Sequence, residues 1–194
     1  MPGDRGKFAE GLDAMSGPDS GNSGLDVFNA LSEAEAADAV ASCCPWPDWA
    51  AGVVAGRPYG SEQEAQDAAG QATQAIPDAN LPEVLSRFPP IAVDRGGDSR
   101  AASWSRQEES AIHSSAEAVK DELVSTGLKY RDRFGYTFVI AATGRSSAEV
   151  LKAMKERLEA DPARELRTSR EQVDLITRMR MAKLLAQLDP GPGL

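Results

Sequence analysis

Histidine is almost missing from this chain: His113 is the only one among 194 residues. Cysteine is nearly as scarce, with Cys43 and Cys44 side by side and no other. Neighbours in a helix point in different directions and do not ordinarily bridge, so no disulfide scaffold is expected. One imidazole and two thiols are also too few soft ligands for a four-ligand zinc site, and no metal is assigned. An all-oxygen Mg²⁺ site stays open, although no spacing points to one. Positive charge is in deficit: 21 Lys and Arg stand against 30 Asp and Glu, for a net charge of −9. Such a chain repels a phosphate backbone, and nucleic acid is not expected as a partner. Long apolar runs are missing too. The longest, 138–142, falls far short of the roughly 18–20 residues that span a bilayer, so no membrane partner is expected. The N-terminus carries Asp4, Arg5, Lys7 and Glu10 with no apolar stretch behind them. It resembles neither a secretory signal nor an Arg-rich transit peptide, and a soluble, cytoplasmic protein is expected.

What is present reads as helix, on a chain whose length suits one domain. Residues 1–24 hold six Gly and two Pro with scarcely an apolar side chain; this composition cannot offset its ordering entropy and reads as a flexible leader. Structure is expected from Leu25, where Val27, Phe28 and Leu31 form an apolar stripe. Ser32 is a candidate N-cap for a helix running to Cys44, which Pro45 and Pro47 end. Further helices are expected over 48–55, 61–76 and 80–88, the last with Pro82 in its first turn. Residues 89–103 read as a loop, and 104–134 as one helix with Gly127 a possible break. The run 136–142 is short and rich in β-branched and aromatic residues, and a buried strand is the alternative there. Ser147 opens a helix with Val150, Leu151, Met154 and Leu158 on one face. The last helix, 162–188, shows Val173, Ile176, Met179 or Arg180, and Leu184 at helical spacing, and 189–194 is a flexible tail. No internal repeat or sustained heptad pattern is present. The fold class is therefore all-α, a compact multi-helix domain over 25–188.

Several short motifs occur in a fixed order. They are Cys43-Cys44, Trp49-Ala50, Arg57-Pro58-Tyr59, Phe88-Pro89-Pro90-Ile91-Ala92, Ser105-Arg106-Gln107-Glu108-Glu109, Tyr130, Phe134-Gly135-Tyr136, Ala142-Thr143-Gly144-Arg145-Ser146 and Glu171-Gln172. Over about 25–185 this series resembles the 2-oxo-4-hydroxy-4-carboxy-5-ureidoimidazoline (OHCU) decarboxylase family, which completes urate oxidation to S-allantoin. The resemblance implies an all-helical enzyme of purine metabolism with no cofactor, often a homodimer. Such an enzyme removes carbon dioxide from a ring carbon and reprotonates that carbon on one face. The family's catalytic histidine lies in a His-Pro-Arg-Ile-Gly-like segment, which matches 88–92, so its position here is Phe88. Pro90 and Ala92 replace the Arg and Gly of the same segment. The family's Ser-x-x-Glu-Gln element matches Ser105 to Glu109, making Glu108 the acid, with Glu109 in place of the amide. Arg145 matches the basic residue that grips substrate, although a two-residue shift puts Thr143 there.

Glu108 and Arg145 are thus the candidate catalytic residues, and Phe88, Pro89, Ile91, Ser105, Phe138 and Thr143 the candidate substrate contacts. Each has a plainer alternative. Phe88 is also the last apolar residue of a helix, Glu108 belongs to a charge run that a solvated helix face would carry, and Arg145 could be a surface arginine beside an N-cap. Glu109 is assigned to the surface. His113 lies five residues beyond Glu108, off the three-or-four spacing of a shared face, which weakens it as a substitute imidazole. Trp46, Trp49 and Tyr59 read as core, Arg57 as a paired structural arginine, and the cysteines as small buried residues. A phenylalanine can neither stabilise carbanionic charge nor deliver a proton, and general acid–base help is typically worth about 10² to 10⁴ in rate. The foremost expectation is therefore an enzyme, a lyase or cyclase, turned to another small-molecule substrate, for instance in a biosynthetic pathway. The alternatives are a true ureidoimidazoline decarboxylase and a catalytically dead binding subunit.

Overall fold

A computed structural model describes residues 23–93 and 99–190. Among the described residues there are ten α-helices and no strand. They are α1 (Gly24–Ala30), α2 (Glu33–Val40), α3 (Pro47–Ala55), α4 (Glu62–Gln74), α5 (Leu81–Arg87), α6 (Arg100–Glu108), α7 (Ser110–His113), α8 (Glu117–Phe134), α9 (Ser147–Leu158) and α10 (Pro162–Leu188). Their starts follow local chemistry. Ser23, Ser32 and Ser146 each accept the backbone N–H three residues on, while Asp26, Glu35 and Glu149 bond back to the cap; each capping box satisfies two otherwise orphaned donors. Pro47 and Pro162 occupy first-turn positions where a missing N–H costs nothing.

α10 is the spine, touching α1, α2, α4 and α5, while α8 packs on α9 and α3 on α4. The core between them includes Phe28, Trp49, Leu81, Leu85, Ile112, Leu123, Tyr130, Met154, Met181, Leu184 and Leu185. α1 lies so close to the end of α10 that a Cβ on Gly24 would sit 1.8 Å from the Leu185 carbonyl oxygen. Only glycine permits that approach. Tyr59 is buried and Trp46 half-buried, with the Arg87 guanidinium 4.9 Å from the Trp46 ring centroid. Arg57 Nη1 donates to the Phe28 and Leu31 carbonyls at 2.7 and 2.9 Å, tying off the end of α1. No helix among the described residues is long and apolar enough to cross a membrane.

The elements differ from the sequence-based expectation in five places. α1 begins at Gly24 and not at Leu25, because Ser23 and Asp26 form its cap. α2 stops at Val40, leaving Cys43 and Cys44 buried in the turn that follows. The loop after Phe88 ends at Ser99, whose side chain caps α6 through the Ala102 N–H. The expected single helix over 104–134 is broken at Glu109 and again at 114–116. There Ser114 and Ser115 hydroxyls both bond the Ala111 carbonyl, competing with the helical ladder. Gly127 is no break; it lies inside α8. The run 136–142 is buried extended chain, not a strand: side chains take its hydrogen bonds, Arg157 donating to the Val139 carbonyl at 2.9 Å and Gln172 accepting from the Ala141 N–H at 3.1 Å. Residues 1–22, 94–98 and 191–194, which belong to the expected leader, loop and tail, lie outside the described residues.

Candidate functional site

The site grows from the end of α5. A residue before proline avoids helical backbone, and Phe88, preceding Pro89, is the extended C-cap of α5 with φ −70° and ψ 144°. This turn drives its ring inward, where it is 4 % exposed. Pro89 and Pro90 carry the chain on to buried Ile91 and then to Ala92, whose φ of 63° is left-handed. That conformation costs an L-residue about 1–2 kcal/mol. The Ala92 N–H donates to Glu109 Oε2 at 3.1 Å. Glu109 is therefore not on the surface; it is 8 % exposed, because α6 stops at Glu108 and the break aims Glu109 at the 88–92 turn.

Glu108 is held from the other side by α10. Arg180 Nε and Nη2 donate to its two oxygens at 3.2 and 2.8 Å, and Lys183 Nζ donates at 3.3 Å. Arg180 Nη2 also reaches Ser105 Oγ at 3.1 Å. The side chains of Arg180 and Glu108 are 6 % and 8 % exposed. The Arg180 guanidinium also stands 6.0 Å from the Phe88 ring centroid, within cation–π range.

Two spaces meet at this cluster. One is a cavity of about 30 Å³ among Phe88, Pro89, Ile91, Ser105, Glu108, Glu109, Phe138 and Arg180, water-sized rather than substrate-sized. The other is a cleft of about 200 Å³ whose walls include Arg87, Phe88, Pro89, Val93, Ala101, Ala102, Ser105, Arg106, Glu109, His113 and Arg180. Phe88, Pro89, Ser105, Glu109 and Arg180 belong to both.

Six of the eight residues nominated from sequence therefore converge: Phe88, Pro89, Ile91, Ser105, Glu108 and Phe138. Arg145 and Thr143 do not line either space. Both are exposed, and Arg145 Nε folds back onto the Ala141 carbonyl at 3.0 Å, across the turn made by left-handed Gly144. Sequence reasoning missed Glu109, Arg180 and His113 as wall residues. The signal for Arg180 was its place in the apolar stripe of the last helix. For His113 it was its place one helical turn beyond Glu109, which carried no weight while Glu109 was expected on the surface.

Other reactive groups stand apart from this chemistry. Burial pushes the Cys43 and Cys44 thiols up to about 12, so both are neutral and poor nucleophiles near neutral pH. A second buried cluster joins Arg157, Glu165, Tyr130 and Ser169: Arg157 Nη2 donates to Glu165 at 2.6 Å and to Ser169 at 3.0 Å, and the Tyr130 hydroxyl donates to the same Glu165 oxygen. Arg157 lies 4.5 Å from the Phe138 ring centroid, so this cluster supports the cavity wall from behind. Among the described residues no three His, Cys, Asp or Glu side chains gather as metal ligands would.

Comparison with known proteins gives a consistent result. The sequence profile of OHCU decarboxylase matches residues 29–182. The chain is 28% identical over 138 residues to the mouse OHCU decarboxylase, covering 70% of this chain and 78% of the mouse protein. It is 26% identical over 141 residues to the Amia calva OHCU decarboxylase, covering 72% and 81%. With the Arabidopsis thaliana uric acid degradation bifunctional protein TTL the identity is 36% over 80 residues, which is 41% of this chain but only 25% of that longer protein. An OHCU decarboxylase crystallised in the presence of (S)-allantoin superposes with a TM-score of 0.65 at 28% identity, over 77% of this chain and 98% of the other. An (S)-allantoin synthase shares the fold at a TM-score of 0.61 and 18% identity, over 82% and 53%. With the profile spanning most of the chain and the helical architecture matching, the protein belongs to the OHCU decarboxylase family.

Proposed function

We propose that this protein is a cofactor-free, decarboxylase-type lyase whose substrate is a small molecule more apolar than ureidoimidazoline, bound in the 200 Å³ cleft. The observation that carries the reading is the position of Phe88. Its ring walls both the cleft and the inner cavity, at the place where the resemblance puts the family's histidine. An apolar ring there removes the expected proton donor and offers surface to an apolar ligand instead. The polar equipment that remains suits loss of carbon dioxide. Arg180, oriented by Glu108 and Ser105, lines the cleft with guanidinium N–H donors for the electron pair left behind, and that carbon then takes its proton from water in the cleft. Glu108 then orients Arg180, and Arg145 has no part in the cleft.

The names of the relatives favour the other reading, ureidoimidazoline decarboxylation itself, and one experiment separates the two. Ureidoimidazoline is generated from urate in situ and S-allantoin formation is followed by circular dichroism, alongside carbon dioxide release from a panel of small apolar carboxylates. The expected result is S-allantoin at no more than the spontaneous rate and turnover of at least one panel member. Rapid, stereoselective S-allantoin formation would overturn the proposal. Restoring histidine at Phe88 alone is expected to leave ureidoimidazoline turnover poor, because Pro90 and Ala92 alter the same turn and a misplacement of about 1 Å costs on the order of 10² in rate.

A further inference from the structure

α8 turns Leu123, Thr126 and Tyr130 inward and leaves its opposite face to solvent. Among the described residues four large apolar side chains stay exposed, and three of them gather at this face: Val124 at 36 %, Leu128 at 50 % and, on the neighbouring turn, Val93 at 37 %. They rim a pocket of about 90 Å³ whose walls include buried Ile91, Leu123, Phe138 and Met154. Gly127 lies between Val124 and Leu128, and a Cβ there would meet nothing within 4 Å. No contact inside this chain calls for that glycine, although a mid-helix glycine weakens a helix. Asp121, Val124, Leu128 and Arg131 are all exposed, and their spacing of three, four and three residues sets them in one stripe. The Asp121 and Arg131 side chains at its ends have no hydrogen-bond or ion-pair partner among the described residues. They stand about 15 Å apart along the helix, too far to pair with each other.

We infer that this face binds a second copy of the chain, with the two α8 helices antiparallel. The stripe is its own complement. Under a two-fold axis at the level of Thr126, Val124 packs on the partner's Leu128 and Arg131 meets the partner's Asp121, because both pairs are centred on that residue. Such self-complementarity is what an isologous interface requires; an unrelated helix would have to supply both charges in reverse order. Gly127 leaves room for close approach, and the 90 Å³ pocket takes the partner's Leu128. Ile91 and Phe138 line this pocket and the inner cavity beside Phe88 alike, so the second copy bears on the outer side of the 88–92 turn. A stripe about 15 Å long and about 10 Å wide falls short of the roughly 800 Å² per partner of a standard interface, and the dimer is accordingly weak and concentration-dependent. The inference is independent of which substrate the cleft takes.

Sedimentation velocity of the full chain tests this between about 5 and about 500 μM, the range in which so small an interface assembles. The native chain is expected to pass from monomer to dimer across that range. Leu128→Asp, Asp121→Arg and Arg131→Asp change exposed positions and should keep the native far-ultraviolet circular dichroism. Each should weaken association on the order of ten-fold or more, the first by putting a carboxylate in the apolar contact and the others by setting like charges opposite each other. Mixing Asp121→Arg with Arg131→Asp should restore the dimer, since each then carries the charge the other lacks; no contact within one chain could produce that rescue. A native chain that stays monomeric throughout would overturn the inference, and a melting temperature lowered by Leu128→Asp in such a monomer would assign the face to another segment of the same chain. A dimer untouched by all three variants would overturn α8 as its interface. Failure of the mixture to dimerise would overturn the antiparallel pairing of Asp121 with the partner's Arg131.

Discussion

Replacing Glu108 with glutamine separates an anchor from a reacting group. The carboxylate accepts Arg180 at 3.2 and 2.8 Å and Lys183 at 3.3 Å, and the Glu108 and Arg180 side chains are 8 % and 6 % exposed. An amide keeps one acceptor but turns an NH₂ donor against a guanidinium donor, and it strips the charge that compensates buried Arg180. Breaking a buried ion pair from one side costs about 3–5 kcal/mol, and the retained carbonyl puts glutamine near the lower end. For a domain of this size each kcal/mol moves the melting temperature by about 2–4 °C, so Glu108→Gln should lower it by roughly 6–12 °C. The assay is urea and thermal unfolding followed at 222 nm, with the urea midpoint falling at unchanged slope. Arg180→Met should cost a similar amount, and the double variant much less than the sum of the two, as coupled neighbours do. An unchanged or raised melting temperature in Glu108→Gln, together with abolished turnover, would refute the anchor role and make the carboxylate itself the reacting group.

Other outcomes are equally open to measurement. Ala92→Gly relieves a left-handed alanine and should add about 1 kcal/mol after glycine's greater unfolded-chain entropy is subtracted; a lower melting temperature would contradict this. Gly24→Ala places a methyl against the Leu185 carbonyl and should displace α1 from α10, seen as faster amide exchange confined to α1 and the end of α10. Cys43 and Cys44 should resist Ellman's reagent in the native chain and react only once it unfolds. Their folded values lie near 12, above about 8.5 in the unfolded chain. The unfolded state therefore sheds those protons first, and stability should hold below that pH and fall from there toward 12. Replacing both with alanine should flatten that slope. On the acid side, bonds from their capping serines hold Asp26, Glu35 and Glu149 below the usual carboxylate range. Their contribution should be present above pH 4 or so and lost below it, and Ser146→Ala should weaken the Glu149 share of that loss.

Much of the fold was legible because its punctuation is local. Ser32 and Ser61 cap helices where their sequence context said they would, and Pro162 opens the last one, while the cap of α9 is Ser146, one residue before the Ser147 expected to open it. The extended run 136–142 was ambiguous for a physical reason: its apolar pattern reports burial, whereas the choice between strand and coil depends on distant Arg157 and Gln172 supplying hydrogen bonds. The break at Glu109 was hidden in the same way, because it depends on a contact with Ala92, seventeen residues earlier in the chain. Of the site, the Phe88 turn and the Ser105–Glu108 face could be read from motif order. The pairing of Glu108 with Arg180, 72 residues on, could not, since an arginine in an apolar stripe looks like an error in the stripe until its partner is seen. Arg145 was nominated by matching motif order, and the Gly144 turn sends it elsewhere.

α10 also carries an assembly code. Along its 27 residues, about 40 Å at 1.5 Å per residue, four buried polar side chains bind three separate parts of the molecule. Glu165 takes Arg157 and Tyr130, Ser169 takes Arg157, Thr177 meets Thr73 at 3.1 Å, and Arg180 takes Glu108. Leucines and valines alone would let such a rod slide by one turn at modest expense, since one apolar contact replaces another. Here a slip of one turn would strand a carboxylate and a guanidinium in the interior at once, several kcal/mol each. The helix can seat in one register only, and that register is the one that brings the Arg180 charge beneath the Phe88 ring.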